Sequence, residues 1–138
     1  MNIFAINENP IVAAQEQCDK HVVKMIVESA QMLSTAHRIL DGTKTKKLSK
    51  SGKRMVDYWI HPNKNIENTL YKAVHPSHPS TLWTMESLSN YAWHYDHWYA
   101  LCIEYQYRYE KVHSTEKLLM ELLSCLLYTS PSPRDTNP

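Results

Sequence analysis

Glycine is scarce in this chain: only Gly42 and Gly52 occur among 138 residues, and both lie in one basic segment. Sheets built from tight hairpins need glycine at their turns, so this scarcity disfavours a multi-stranded sheet. Cysteine is also sparse, and positions 18, 102 and 125 have neither disulfide nor metal-site spacing, which is typical of a reducing compartment. There is no apolar run of about 18 residues, and the opening MNIFAINENP lacks the layout of a signal peptide. We therefore expect no membrane span.

The composition is that of a folded protein: 43% of the residues are hydrophobic, 21% are charged and the formal net charge is +1. A chain of this length can bury one real core. With so little glycine and long stretches of helical periodicity, the sequence predicts an all-α fold. We expect a compact single-domain bundle of three to five helices with a long basic loop.

The most informative stretch is Asp19–Leu40, whose sequence is DKHVVKMIVESAQMLSTAHRIL. At 100° per residue it divides into a broad apolar face and one polar stripe. The stripe consists of His21, Lys24, Glu28, Gln31, Thr35 and Arg38. Its single carboxylate, Glu28, lies among a histidine, a lysine and an arginine. This pattern predicts a helix that packs on one side and presents chemistry on the other.

The remaining elements are also predicted to be helical. Asn9-Pro10 suits a helix start, and we expect a short helix over about residues 10–17. A turn at His61-Pro62 should precede a helix over residues 64–72. The segment His75–Pro79 cannot be helical inside, because each proline moves the preceding residue out of the α region. A single helix capped by Ser80 or Thr81 should then run to Tyr109, and a last one over residues 115–124.

Residues 43–56 form a basic segment without a single acid, and its cations are Lys44, Lys46, Lys47, Lys50, Lys53 and Arg54. Clustered cations gain affinity for nucleic acids by releasing counterions from the phosphate backbone. The plainer interpretation is a solvated loop. Further candidate nucleic-acid contacts are Arg38, the connector histidines His75 and His78, and Arg108, which alternates with tyrosines that can stack on bases.

Several positions resemble the pyrimidine-dimer DNA glycosylase family, a group of small all-α repair enzymes. They are MNxF at the start, Ala14, Lys20, Lys24, Val27-Glu28, Gln31-Met32-Leu33, and His78-Pro79 followed by Trp83 and an aromatic helix. The resemblance covers most of residues 1–110. Residues 41–74 form a longer insertion than we expect for bacterial members.

The resemblance implies a DNA glycosylase with AP-lyase activity on damaged pyrimidines in double-stranded DNA. An N-terminal amine attacks C1′, an imine forms, the base leaves, and β-elimination nicks the strand. By position the amine belongs to Met1, since Asn2 usually leaves Met1 in place; Lys20 or Lys24 would be the alternative imine-forming amines. Glu28 holds the reacting centre, and His21 and Lys24 flank it. About 14% of an α-amine but about 0.04% of a lysine is unprotonated at pH 7.

The tail has a different origin in our interpretation. Residues 125–135, CLLYTSPSPRD, resemble the translation of a transposon-type sequencing-library adapter read in one frame. We therefore expect residues 1–124 to form the single helical domain, truncated at its C-terminus, and residues 125–138 to be a non-native tail. We also expect a monomer without cofactor or metal in the cytoplasm of a bacterium or a phage-infected cell.

Two other functions compete with the glycosylase. A non-catalytic helical module could bind nucleic acid with the same basic segment, with Glu28 merely paired to Lys24. A metal-dependent hydrolase could use the histidine pairs 75/78 and 94/97, each at i, i+3, with help from Asp96 and Cys18. The absence of an H-E-x-x-H motif and of any cysteine pair speaks against the hydrolase.

Overall fold

The computed structural model describes residue 3 and residues 7–129, with side chains as far as Ser124. This part of the chain folds into six helices and one two-stranded antiparallel sheet. The elements, in order, are α1 Pro10–Gln15, α2 Asp19–Asp41, β1 Thr43–Leu48, β2 Met55–Ile60, α3 Lys64–Thr69, α4 Pro79–Glu86, α5 Leu88–Tyr109 and α6 Ser114–Thr129. No helix in the described ranges has both the length and the apolar character to cross a membrane.

Helix α2 is the centre of the core. Helices α4, α5 and α6 pack against it, and from Ser29 to Arg38 every residue except Gln31 is buried. Trp98 of α5 is fully buried and donates its indole N–H to the carbonyl of Ile26 at 3.1 Å. The predicted apolar face is therefore correct, but the C-terminal half of the helix is buried on its polar side as well.

The aromatic stretch forms two helices, so the prediction of one helix from residue 80 to 109 was wrong. The break is at Ser87, whose backbone is extended and whose hydroxyl accepts a hydrogen bond from the Asn90 amide, capping α5. Helix α4 is capped by the imidazole of His78, which accepts from the Ser80 amide, and Pro79 takes the first helical position. The predicted caps Ser80 and Thr81 are thus already inside the helix.

The all-α prediction was wrong because the basic segment is a β-hairpin and not a loop. Strands β1 and β2 pair from Thr43 opposite Ile60 to Leu48 opposite Met55. The sequence MVDYWI is rich in β-branched and aromatic residues, as strands are. The scarcity of glycine misled us, because the turn between the strands needs only Gly52, whose φ is +69°. The described helices also exceed the predicted three to five.

The other glycine, Gly42, lies where the end of α2 meets the base of the hairpin. A Cβ atom at this position would lie 2.3 Å from the carbonyl oxygen of Arg38 and 2.7 Å from that of Ile60. Both neighbours are backbone atoms of regular elements, so neither can rotate away. Gly42 therefore allows the close approach that fixes the hairpin to the helix.

We expect Gly42→Ala to lower the free energy of unfolding by about 1–3 kcal/mol, since the added methyl overpacks this junction. Thermal and urea unfolding measure it. The matched control is Gly52→Asn, where a Cβ meets nothing within 4 Å and asparagine accepts the left-handed conformation. That control should change stability by less than about 0.5 kcal/mol. An equally small effect of Gly42→Ala would mean that the junction opens freely.

Candidate nucleic-acid interface and acidic centre of α2

Glu28 lies in the middle of α2 with only 18% of its side chain exposed. One carboxylate oxygen is 3.9 Å from the ammonium of Lys24, one turn earlier, which is 72% exposed. An i, i+4 pair of this kind on a helix contributes only about 0.2–0.5 kcal/mol to stability. His21, one turn before Lys24, is half-buried. The structure therefore places His21, Lys24 and Glu28 along one side of α2, as their spacing predicted.

Met1, the predicted nucleophile, lies outside the described residues. Ile3 is described, and it lines a shallow pocket of about 270 Å³ together with Pro79, Ser80 and Trp83. This pocket is at the start of α4, a helix that packs on α2. Just before α4, the Val74 amide donates to the Thr35 hydroxyl of α2 at 3.0 Å. Ile3 thus lies beside the start of α4, the helix that packs on α2.

The hairpin presents every predicted basic residue to solvent, and all six cations are exposed. On one face, Lys44 and Lys46 each lie 3.5 Å from the carboxylate of Asp57. Lys44 also lies over the ring of Trp59 at 5.5 Å, and on the other face Lys47 lies 3.9 Å above the ring of Tyr58. The structure therefore brings the predicted cations together on one projecting element.

Charge is unevenly distributed between the hairpin and the rest of the protein. Residues 43–60 contain six cations and one acid, a net charge of +5, whereas the whole chain has +1. The remainder of the chain is therefore net acidic by four charges. A surface with this asymmetry attracts polyanions to the hairpin and repels them elsewhere.

Arg38 cannot serve as a nucleic-acid contact, contrary to the sequence prediction, because only 1% of it is exposed. Its guanidinium donates to the side chain of Glu67 and to four backbone carbonyls, those of Trp59, Glu67, Leu70 and Tyr71. These bonds join α2 to the end of β2 and to α3. Arg38 is thus a structural arginine, which helical spacing alone cannot distinguish from a surface one.

Glu67 completes this buried junction. It accepts hydrogen bonds from Arg38, from the hydroxyl of Tyr58 and from the His61 amide at 2.8 Å. Burial alone would raise the pKa of Glu67, but these hydrogen bonds and the nearby guanidinium outweigh it and hold the pKa below its ordinary value. Burial and the hydrogen bond to Glu67 raise the pKa of Tyr58. The junction is therefore an ionised carboxylate surrounded by donors.

Arg108 is likewise held by the protein itself. Its guanidinium donates to the carboxylates of Glu104 at 2.8 Å and Asp19 at 2.9 Å, and to the carbonyls of Gln15 and Gln17. It joins the start of α2 to α1 and α5, at the opposite end of α2 from the hairpin. Because its guanidinium is bonded within the protein, we no longer propose Arg108 as a nucleic-acid contact.

Three of the four histidines considered as metal ligands bond to other protein groups. His94 is fully buried, bonds Thr84 at 2.8 Å, and burial lowers its pKa to about 3. His97 bonds both Gln17 and the Pro10 carbonyl at 3.0 Å. His78 caps α4, and His75 is exposed with a left-handed φ of 46°. Within the described residues no group of three or more His, Cys, Asp or Glu side chains could hold a metal. We therefore do not carry the hydrolase interpretation forward.

Sequence reasoning missed the residues that make the hairpin more than a basic loop, namely Asp57, Tyr58 and Trp59. Their signal was the β-branched and aromatic content of residues 55–60, which we read as the approach to a turn. It also missed the pocket at Pro79 and Trp83, which depends on where Ile3 lies. Comparison with known proteins adds nothing here, since no protein-family profile, curated protein or solved structure matches the chain.

Proposed function

We propose that this protein is a DNA-binding repair enzyme, a glycosylase with AP-lyase activity on damaged pyrimidines. The observation that carries the DNA-binding part of the proposal is the net charge of +5 on the hairpin of an otherwise acidic chain. A two-stranded ribbon is one of the elements that the major groove of DNA admits. Six residues per strand give a ribbon about 20 Å long, sufficient to follow a groove past several phosphates.

The chemistry is assigned to α2. The amine of Met1, or of Lys20 or Lys24, attacks C1′ of the damaged nucleotide, and the glycosidic electrons leave with the base. The sugar ring opens as the imine forms. Glu28 stabilises the positive charge and removes the C2′ proton, after which the 3′ phosphate departs. The limited exposure of Glu28 supports this role, because a carboxylate is more effective where water is restricted.

A borohydride experiment tests the chemistry directly. Reduction of the imine by borohydride should join the protein covalently to duplex DNA containing either an abasic site or a pyrimidine dimer. The measurement is a shifted band on a denaturing gel, with peptide mass analysis to identify the amine. Undamaged duplex of the same sequence is the control and should give no adduct. Absence of an adduct with both damaged substrates would remove the lyase mechanism.

A non-catalytic nucleic-acid-binding module is the second candidate. It is favoured by the hairpin, whose contacts with Arg38, Gly42 and Glu67 do not involve Glu28. Binding of duplex DNA without any trapped adduct would select this function. In both cases the partner is double-stranded DNA. The monomeric state and the cytoplasm of a bacterium or phage-infected cell stay predictions.

A further inference from the structure

One acid interrupts the positive surface of the hairpin. Asp57 lies on β2 directly opposite Lys46 of β1, and Lys44 is two residues away on the same face. Lys44 approaches one carboxylate oxygen and Lys46 the other, each at 3.5 Å. The three side chains are 60%, 66% and 42% exposed for Lys44, Lys46 and Asp57. Two ammonium groups therefore converge on two oxygens of one anion at the surface.

A phosphate group could bind in the same way, with two of its oxygens between the ammonium groups of Lys44 and Lys46. We propose that Asp57 is an internal competitor that occupies a phosphate-binding position between Lys44 and Lys46. This inference rests on the proposed function, because it concerns the same DNA-binding surface. Lys44 and Lys46 contact DNA only where a backbone phosphate displaces the carboxylate. Asp57 thereby weakens binding to any polyanion that does not bring a phosphate to this position.

The other four hairpin cations are not restrained in this way. Lys47, Lys50, Lys53 and Arg54 have no acidic partner within 4 Å in the described part of the chain. Lys50, Lys53 and Arg54 lie in the connection between the two strands. The wild-type hairpin should therefore engage DNA first with about four cations. Because an exposed ion pair contributes only about 0–1 kcal/mol, the displacement of Asp57 is inexpensive once a phosphate arrives.

The experiment measures binding of a fluorescent 20-base-pair duplex by anisotropy, from low to moderate salt. Asp57→Asn should bind about five- to tenfold more tightly than wild type. Its log–log salt slope should be steeper by about 1–2, since two more phosphates are neutralised. The matched control is Glu16→Gln, an exposed acid at the end of α1 next to the start of α2, while the hairpin follows the far end of that helix. It should have little effect.

Lys46→Gln provides a second test that does not depend only on the Asp57 variant. In the wild-type background it should weaken binding less than about twofold, because Lys46 is occupied by Asp57. In the Asp57→Asn background the same change should weaken binding about fivefold, the cost of one phosphate contact. A fivefold loss already in wild type overturns the proposal, and so does an equal gain from Glu16→Gln and Asp57→Asn.

DNA-binding measurements distinguish failure of the proposed function from failure of the proposed role of Asp57. If wild-type protein does not bind the duplex at low salt, the proposed function and this inference both fall. If wild type binds but Asp57→Asn leaves affinity and slope unchanged, only the competitor role of Asp57 is refuted.

Discussion

Glu28→Gln is expected to reduce the yield of borohydride-trapped adduct, and the rate of strand nicking, by at least about 100-fold. Removal of a general acid–base group costs about 10²–10⁴-fold, and glutamine keeps the shape of the side chain while losing the charge and the proton acceptor. DNA affinity should change less than about twofold, because phosphate contacts dominate affinity and the proposed contacts lie on the hairpin, away from Glu28. Single-turnover trapping and anisotropy on the same preparation measure both quantities.

The control for this variant is Glu121→Gln, which makes the same chemical change at an exposed position on α6. It should leave trapping unchanged. Thermal unfolding of Glu28→Gln separates a chemical role from a structural one. Retained trapping would show that Glu28 is only a surface carboxylate paired with Lys24, and the non-catalytic module would then be the better account.

Arg38→Met should lower the free energy of unfolding by about 3–5 kcal/mol. Methionine keeps the apolar stem but leaves Glu67 without its cation and four backbone carbonyls without a donor. Domains of this size are stable by only about 5–15 kcal/mol, so the loss is a large fraction of the total. Urea unfolding measures it, and loss of the β-hairpin should accompany it.

Two further variants test why Arg38→Met lowers the free energy of unfolding. Arg38→Met combined with Glu67→Gln should recover part of the stability, because the uncompensated carboxylate is gone. Arg54→Met, the same change at an exposed position, should cost less than about 0.5 kcal/mol. Since the folded state holds the pKa of Glu67 low, its ionised form stabilises the fold above the ordinary pKa of 4.5. That contribution disappears as the pH falls through the lower folded pKa.

The helical framework could be predicted because its signals are local. The apolar periodicity of α2, the Asn9-Pro10 start of α1 and the proline-rich connector before α4 depend on residues within one or two turns. The hairpin was missed because a strand is stabilised by its partner, and β1 with three lysines looks like a loop until β2 lies beside it. The break at Ser87 was equally hidden, since the helical spacing of the apolar residues Met85, Leu88 and Tyr91 continues across it.

The site was predictable only in part for the same reason. Exposure of the hairpin cations follows from their density, and the i, i+4 pair of Lys24 and Glu28 follows from helix geometry. The burial of Arg38 does not, because its acceptors are 21 to 33 residues away in sequence. No local pattern reports a long-range partner.

Arg38 donates mainly to backbone carbonyls of its neighbours and to only one side chain. Of its acceptors, only Glu67 contributes a side chain; the others are carbonyls that any residue would provide. The junction between Gly42 and His61 should therefore accept grafted β-hairpins of foreign sequence, provided that Gly42, Arg38 and Glu67 remain and the graft keeps Tyr58, whose hydroxyl donates to Glu67. The hairpin could in this sense be replaced while the helical part of the protein stays unchanged.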